Sequence, residues 1–177
     1  MSEILTPRLV LRQWQEDDLV PMSEINADPA VMRWTGDGSV LDLEQTADAM
    51  ERWEEDWDEE GFGLFAVELL GSGELIGFTG LSVPHFLPEV MPAVAAEWRL
   101  GRQFWGQGYG SEAAQAVLEW ALQDRGLDHV LGICRAEDAA SANVMRKLGM
   151  TPERKTVHPV YGFPLDVHGI DLTEYAG

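Results

Sequence analysis

Hydrophobic residues recur at helical spacing in two long segments of the chain. Over about residues 42–60, large apolar side chains share one face at spacings of four, three and four, while acidic side chains fill the other. The apolar face carries Thr46, Met50, Trp53 and Trp57. The segment after residue 110 repeats the pattern at i, i+3, i+4, i+7 and i+8 and is followed by Gly126, which suits the end of a helix. Both segments are predicted to be long helices, and the acidic face of the first is interpreted as a solvated surface.

Shorter signals complete an alternation of helices and strands. Acidic residues 16–18 predict the start of a helix that ends before Pro29, and 138–148 predicts another helix with Gly149 as its stop. Apolar runs rich in strand formers predict strands over 8–14, 64–70, 75–82, 94–100 and 130–135, followed by two looser strands within 151–175. His129 is assigned to a turn. The order predicts one α/β domain over residues 1–177 with a mixed sheet.

Length and charge narrow the class of protein. The chain has 177 residues, 45% hydrophobic and 24% charged, which fits one globular domain rather than a disordered chain. Twelve Lys and Arg residues against 31 Asp and Glu residues give a net charge of −19. Binding to duplex nucleic acid or to an anionic membrane is therefore disfavoured, because both need cationic side chains. The charge favours cationic partners, or is simply that of a soluble acidic protein.

Cysteine content and the first residues point to an intracellular compartment. Cys134 is the only cysteine, so it forms no internal disulfide, and no cluster of Cys and His predicts a metal site. Its apolar neighbours predict an inert buried thiol rather than a nucleophile. The first residues lack the pattern of a signal peptide, and no apolar run is long enough to span a bilayer. We expect a cytoplasmic protein.

A glycine-rich loop is the sharpest local feature. The run Trp105-Gly106-Gln107-Gly108-Tyr109-Gly110-Ser111 lies between a predicted strand and a predicted long helix. Backbone N–H groups at a helix N-terminus attract anions, so the loop could hold a diphosphate, with Arg102 nearby to screen its charge. A tight turn without a ligand is the structural alternative. The spacing is neither that of a dinucleotide-binding fold nor that of a P-loop.

Four ordered segments carry a resemblance to a known family. They are Thr6–Arg12, Leu75–Leu81, the run from Trp98 through the glycine loop to Ala113, and Ser141-x-x-x-Met145 continuing to Met150. Together they resemble the GNAT superfamily of N-acetyltransferases, over about residues 5–160. The similarity is greatest to the Rim-type branch, which acetylates the N-termini of ribosomal proteins.

The resemblance implies how a cofactor would bind. It implies a mixed sheet flanked by helices and splayed between its fourth and fifth strands, here 94–101 and 130–135. Acetyl-CoA would lie in the gap, with its pantetheine arm on the backbone of Trp98 and Leu100 and its pyrophosphate on the glycine loop. CoA would be the product. Asp138 stands where Rim-type members have an Asn that contacts the pantetheine, and capping of the following helix is the alternative role for Asp138.

The same resemblance supplies candidates for catalysis. The amine must lose a proton before it attacks, and Glu97, on the strand beside the cofactor, is the candidate base if burial makes it more basic. The alternative is an exposed Glu97 that only attracts the cationic substrate. Relatives often carry the acid two positions earlier, where this chain has Ala95. Ser141 is the candidate proton donor to the CoA sulfur, because Met145 stands where many relatives have a Tyr.

The acceptor is predicted only as a primary amine. Trp34, Glu97 and His158 are the candidate substrate-binding residues. The amine could belong to a basic protein N-terminus or to a small molecule such as a polyamine, amino acid or aminoglycoside. Direct transfer in a ternary complex is the leading function, and a non-catalytic acyl-CoA-binding module is the alternative. Either a monomer or a homodimer is compatible with the sequence.

Overall fold

The computed structural model describes residues 3–174 as alternating strands and helices around one sheet. The α-helices are α1 (Leu19–Asn26), α2 (Pro29–Met32), α3 (Leu43–Glu60), α4 (Tyr109–Gln123) and α5 (Ala139–Lys147). The strands are β1 (Ile4–Leu5), β2 (Leu9–Arg12), β3 (Leu64–Leu69), β4 (Leu75–Ser82), β5 (Ala95–Leu100), β6 (His129–Arg135), β7 (Thr151–Val157) and β8 (Pro164–Asp171). Within residues 3–174, no helix is both long and apolar enough to cross a bilayer.

The sheet has eight strands in the order β1-β2-β3-β4-β5-β6-β8-β7. All neighbours are antiparallel except β5 and β6, which are parallel. The mixed sheet predicted from the sequence is therefore confirmed. The parallel pair was predicted as the fourth and fifth strands and is the fifth and sixth, because the two-residue strand β1 precedes them.

The sheet opens between β5 and β6. Only Ala95 with Leu131 and Ala96 with Gly132 are paired across these strands. Beyond them, residues 97–100 keep their partners on β4, and residues 133–135 keep theirs on β8. The expected splay thus begins immediately after Ala96 and leaves a wedge-shaped gap that widens towards the C-terminal ends of both strands.

Helices cover the two faces of the sheet differently. On one face, α4 is almost entirely apolar where it meets the sheet, and its Ala113, Val117 and Leu118 are fully buried in the largest core cluster. On the other face, Met22 and Ile25 of α1 and Met50 of α3 pack on β3 and β4. Burial of these stripes is the main driving force that fixes the layers. The gap between β5 and β6 is consequently bordered by α4 and α5 on one face and by the α1–α2 region on the other.

Several sequence predictions need correction. His129 was predicted in a turn, but it begins β6 and pairs with Asp171 of β8. Pro29 does end the first helical region, yet it also begins the unpredicted four-residue helix α2, since Pro fits the first turn of a helix. Asp28 caps α2 by accepting a hydrogen bond from the Ala30 backbone N–H at 2.9 Å. The predicted strand 8–14 is shorter at both ends.

Candidate functional site

The glycine loop leaves backbone N–H groups without partners at the start of α4. Gly106 and Gly108 have φ angles of 75° and 82°, in the left-handed region that other residues avoid. Gly108 is the N-cap of α4, and no side chain caps the helix. Among the described residues, the first N–H of this turn with a backbone acceptor is that of Glu112, which donates to the Gly108 carbonyl at 3.1 Å. The N–H groups of Tyr109, Gly110 and Ser111 are therefore available to an anion.

Arg8, which sequence reasoning did not assign to the site, holds the loop from its position directly before β2. Its Nε donates to Glu112 Oε1 at 2.8 Å, its Nη1 donates to the Gln107 carbonyl at 2.9 Å, and its guanidinium lies over the Tyr109 ring. Thr6 adds a hydrogen bond from its hydroxyl to Glu112 Oε2 at 2.6 Å. The N-terminal segment thus fixes the loop and places the Arg8 guanidinium, paired with Glu112, beside it.

Glu112 remains ionised in this arrangement. Partial burial acts to raise the pKa of Glu112, but the hydrogen bonds from Thr6 and Arg8 outweigh burial and lower it below its ordinary value. The ionised carboxylate therefore holds Arg8 in place by a salt bridge.

Unpaired backbone groups line the β5 side of the gap. Gly101 N–H donates to Ile76 of β4, and Val94 accepts from Leu131 of β6, so backbone groups of even-numbered β5 residues face β6. Trp98 and Leu100 therefore direct their N–H and C=O groups into the gap, as expected. The Leu100 carbonyl already accepts a hydrogen bond from the Trp105 indole N–H at 3.0 Å. Trp98 thus has both groups free among the described residues, while Leu100 has its N–H and one carbonyl lone pair.

No side-chain hydrogen bond joins Arg102 to the loop in the described part of the chain, although its carbonyl accepts one from the Trp105 N–H at 3.2 Å. Arg102 is exposed at the start of a 3-10 turn before the loop and lines a groove with Glu24 and Asp28 of the α1–α2 region. Gln107 is also exposed, and its amide donates to the Gln103 carbonyl at 3.1 Å. Arg8 occupies the place at the loop that the sequence suggested for Arg102.

Helix α5 begins beside the β6 edge of the gap. Asp138 is its N-cap and accepts a hydrogen bond from the Ser141 N–H at 3.1 Å, so the capping alternative considered for Asp138 is realised. Met145 is 1% exposed and lies against Gly132 of β6. Ser141, one turn earlier on the same helix face, is half-buried. Its hydroxyl makes no hydrogen bond with residues 3–174.

Glu97 lies at the point where the sheet opens. Its carbonyl accepts a hydrogen bond from the buried Thr79 hydroxyl at 3.0 Å, which fixes the strand. Its side chain is exposed, so the burial expected to make it a stronger base is absent. The reason is local: β6 has diverged from β5 at this level, and no side chain covers the carboxylate.

Trp34 and His158, far apart in sequence, belong to one aromatic cluster. Arg135 at the end of β6 lies 5.1 Å from the Trp34 ring and 3.9 Å from the Phe163 ring. His158 lies 5.0 Å from Phe163 and also contacts Phe86 and Tyr161. The cluster borders the gap on the face opposite α4 and joins two of the three predicted substrate-binding residues.

His158 acts in this cluster as a neutral ring. Its Nδ1 accepts hydrogen bonds from the backbone N–H groups of Val160 and Tyr161, each at 3.1 Å. Burial lowers the pKa of His158 below its ordinary value. The imidazole is therefore a fixed aromatic wall rather than a base at Nδ1.

Fold and site together define a class of protein: an α/β acyltransferase with an anion-binding loop next to a splayed parallel pair. A family model described as an acetyltransferase (GNAT) domain matches residues 8–151 of the chain. The chain therefore belongs to the GNAT family of acetyltransferases, which confirms the predicted fold and enzyme class. Proteins of this fold use acetyl-CoA as the acetyl donor and amines as acceptors.

Individual relatives agree with this assignment. An uncharacterized N-acetyltransferase of Bacillus subtilis, YnaD, is 29% identical over 150 residues, covering 85% of this chain and 83% of its own. An acetyltransferase structure from Agrobacterium tumefaciens is 26% identical with a TM-score of 0.80, covering 96% and 94% of the two chains. A RimL ribosomal L7/L12 alpha-N-protein acetyltransferase in complex with coenzyme A is 17% identical with a TM-score of 0.80, covering 96% and 98%. The structural neighbours thus include the Rim-type enzymes that the sequence resembles.

Proposed function

We propose that this chain transfers an acetyl group from acetyl-CoA directly to a primary amine, with both substrates bound at once. Two observations together carry the proposal. The N-terminus of α4 follows the glycine loop and has no side-chain cap, and the gap between β5 and β6 is lined by backbone N–H and C=O groups without partners. Together these features fit a ligand that has a diphosphate at one end and amide groups along its arm. The acceptor is a protein N-terminal α-amine or a small-molecule amine.

The residues that would hold acetyl-CoA follow from this fit. The loop residues Gly106, Gly108, Gly110 and Ser111 offer backbone N–H groups to the pyrophosphate, and Arg8 adds charge. Trp98 and the N–H of Leu100 pair with the pantetheine amides as a neighbouring strand would. When bound, acetyl-CoA supplies an acetyl group activated as a thioester.

Three groups of this chain then serve the transfer. The Glu97 carboxylate, exposed where the sheet opens, attracts the ammonium of the acceptor and accepts its proton directly or through a water, without the burial that would make it a stronger base. A backbone N–H of β5 in the gap donates to the acetyl carbonyl oxygen, where negative charge develops. The Ser141 hydroxyl, on the α5 face beside β6, supplies a proton at the sulfur.

Direct transfer is supported by the state of the only thiol. Cys134 is buried in the core beneath α4 and α5. Burial raises the pKa of the Cys134 thiol to about 12, and the nearby carboxylates of Asp138 and Asp166 act in the same direction. A thiol in this state is a poor nucleophile, so an acetyl-cysteine on the enzyme is not favoured.

Calorimetric titration with acetyl-CoA tests the donor site. We expect micromolar binding to the wild type and its loss in Gly108→Trp, whose side chain fills the space at the start of α4. Gly126→Trp is a matched control, because Gly126 also has a left-handed φ, 66°, and lies beyond the opposite end of α4 with open space where a side chain would begin. Loss in both variants would indicate a damaged helix rather than a lost site, and absence of wild-type binding would refute the proposal.

A thiol-release assay with a panel of amines tests the transfer. Glu97→Gln should lower kcat by on the order of 100-fold or more, with little change in acetyl-CoA affinity, if Glu97 removes the proton. Ser141→Ala should lower kcat less, because water can also protonate the sulfur. Unchanged kcat in both variants would remove these residues from the mechanism.

A further inference from the structure

Two arginines, Arg99 and Arg135, flank the gap on the face where the acceptor would bind, and within residues 3–174 neither donates a hydrogen bond to a carboxylate. In β5, Ala95, Glu97 and Arg99 share one face by alternation, and in β6, Leu131, Ile133 and Arg135 do. Ala95 pairs with Leu131, and both pack in the same small core cluster, so these faces coincide. Arg99 and Arg135 are each three residues past the last paired position and thus stand on opposite sides of the opening.

Arg99 is held in place as a half-buried cation. Its Nη1 donates to Asn26 Oδ1 at 2.9 Å, and Asn26 in turn donates to the Thr46 hydroxyl at 3.1 Å. Asn26 and Thr46 are fully buried, and the guanidinium lies over the Phe78 ring. Burial lowers the pKa of Arg99 to about 10, against an opposing effect of Glu97, so the side chain stays charged at neutral pH. Four of its five N–H donors have no partner within residues 3–174.

Arg135 also keeps hydrogen-bond donors free, although different residues hold it in place. Its guanidinium lies over the Phe163 ring, 3.9 Å from the centroid, and 5.1 Å from the centroid of the Trp34 ring, so cation–π contacts help to hold it. Its Nε is buried and has no hydrogen-bond partner in the described part of the chain. The nearest carboxylate, of the exposed Glu137, is 3.9 Å from Nη2, which is beyond hydrogen-bond distance.

The chain has enough carboxylates to pair with Arg99 and Arg135. The chain has 31 acidic residues against 12 basic ones. Arg8 and Arg12 are close to carboxylates, with contacts of 2.8 Å to Glu112 and to Asp18. A partly buried guanidinium that has no hydrogen-bonded carboxylate is stabilised further by an additional anionic group. Arg99 and Arg135 both lie on the acceptor side of the gap, where a carboxylate of the substrate would meet them.

We propose that Arg99 and Arg135 bind a carboxylate of the acceptor, so that the substrate is an amine with a carboxylate near its amino group, such as an amino acid. Glu97 lies on the same face two residues before Arg99 and complements the ammonium. One carboxylate and two guanidiniums match the two charges of a zwitterion, and arginine forks bind carboxylates in a bidentate manner. This inference rests on the proposed acetyltransferase function. It selects against the polycationic acceptors that the net charge alone would favour.

Paired acceptors test the inference. We would compare L-amino acids with their amides in the thiol-release assay, and expect kcat/KM to be at least tenfold higher for the acids. Arg99→Gln and Arg135→Gln should each raise KM for the acids by on the order of 30-fold, and leave KM for the amides nearly unchanged. Arg99→Lys should recover part of the loss, because it keeps the charge but not the fork. Arg125→Gln, which removes an arginine over Trp120 away from the gap, is the matched control.

A binding measurement separates recognition from folding. Calorimetry of the CoA-loaded protein should show an amino acid binding to the wild type and not to Arg99→Gln or Arg135→Gln, while both variants keep their affinity for acetyl-CoA. The two arginines contact different elements, so a common change in selectivity does not arise from one local disruption. Equal loss for acids and amides would mean a structural role and would overturn the inference.

The acceptor panel also distinguishes sources of the carboxylate. Peptides with an N-terminal Asp or Glu form one arm, free amino acids a second and polyamines a third. Turnover in either of the first two arms that depends on both arginines supports carboxylate recognition and identifies its source. Turnover confined to polyamines would overturn the inference but leave the acetyltransferase proposal intact, whereas absence of acetyl-CoA binding would defeat the proposal itself.

Discussion

At the scale of single residues, burial decides which titratable groups can react. Cys134 and Glu97 illustrate the two extremes near the gap: the thiol is buried in the core, and the carboxylate is exposed where β6 diverges. The sequence left two alternatives open for Glu97, a buried base and an exposed carboxylate that attracts the cationic substrate. Its side chain is exposed, at the point where the two strands diverge.

Cys134 should be dispensable for catalysis and resistant to alkylation. A rise in thiol pKa from 9.0 to about 12 lowers the thiolate fraction at pH 7 roughly a thousandfold. We expect Cys134→Ala to keep kcat within about twofold. Iodoacetamide at pH 8 should modify the thiol only after unfolding in urea, as followed by mass spectrometry. Rapid labelling of the native protein would contradict this account.

His158 should make stability depend on pH near neutrality. Its pKa in the folded protein lies below the ordinary value of 6.5 because of burial, so the unfolded chain takes up the proton first as pH falls. Its stabilising contribution is therefore present above pH 6.5 and is lost as pH falls from there through the folded-state pKa. His158→Asn, which keeps an acceptor for the two backbone N–H groups, should melt with less dependence on pH in this window. His85→Asn, at an exposed position, is the control and should behave as the wild type.

At the scale of elements, the cap of α5 links local stability to the cofactor gap. Asp138 accepts the Ser141 N–H, and Asn caps helices as well as Asp does. Asp138→Ala should therefore destabilise the protein by about 1 kcal/mol. That loss corresponds to a fall in Tm of roughly 2–4 °C for a chain of this size. Asp138→Asn should keep the Tm and, because its amide can donate a hydrogen bond, bind acetyl-CoA at least as tightly by calorimetry. Weaker binding by the Asn variant would contradict the expected hydrogen bond from the residue 138 amide to the cofactor.

Elements with complete local patterns were predictable from the sequence, and short elements were not. Helix α3 and strands β3 and β4 match their predicted bounds to within a residue, because their periodicity and their glycine boundaries are local. The four-residue α2 and the two-residue β1 are too short to show a period. The insertion of β8 between β6 and β7 depends on pairing across the whole sheet, which no local pattern encodes.

At the scale of the whole molecule, the site is assembled by contacts that sequence spacing does not reveal. Arg8 and Glu112 are 104 residues apart in sequence. Their pairing brings the N-terminal segment into contact with the glycine loop. The residue pattern identified the glycine loop and the family resemblance assigned acetyl-CoA to it, but neither gave a role to Arg8, Arg99 or Arg135. Those roles depend on whether the fold places a carboxylate within hydrogen-bond distance of each guanidinium.

The net charge also acts on the whole molecule, and it predicts how salt affects cofactor capture. Acetyl-CoA is an anion, and the chain has a net charge of −19. At low salt, where the Debye length is about 30 Å, the whole chain therefore repels the approaching cofactor. At 0.15 M salt the Debye length is about 8 Å, so only nearby groups such as Arg8 and the N-terminus of α4 still act on it. We therefore expect the association rate constant of acetyl-CoA, measured by stopped-flow, to increase as NaCl is raised from 10 to about 150 mM, the range over which this screening develops. Arg8→Gln should reduce the rate most at low salt, because added salt screens the attraction between Arg8 and the anionic cofactor as it screens every other charge. A rate that falls steadily with salt would mean that the loop's positive potential dominates at every distance, against the sign of the net charge.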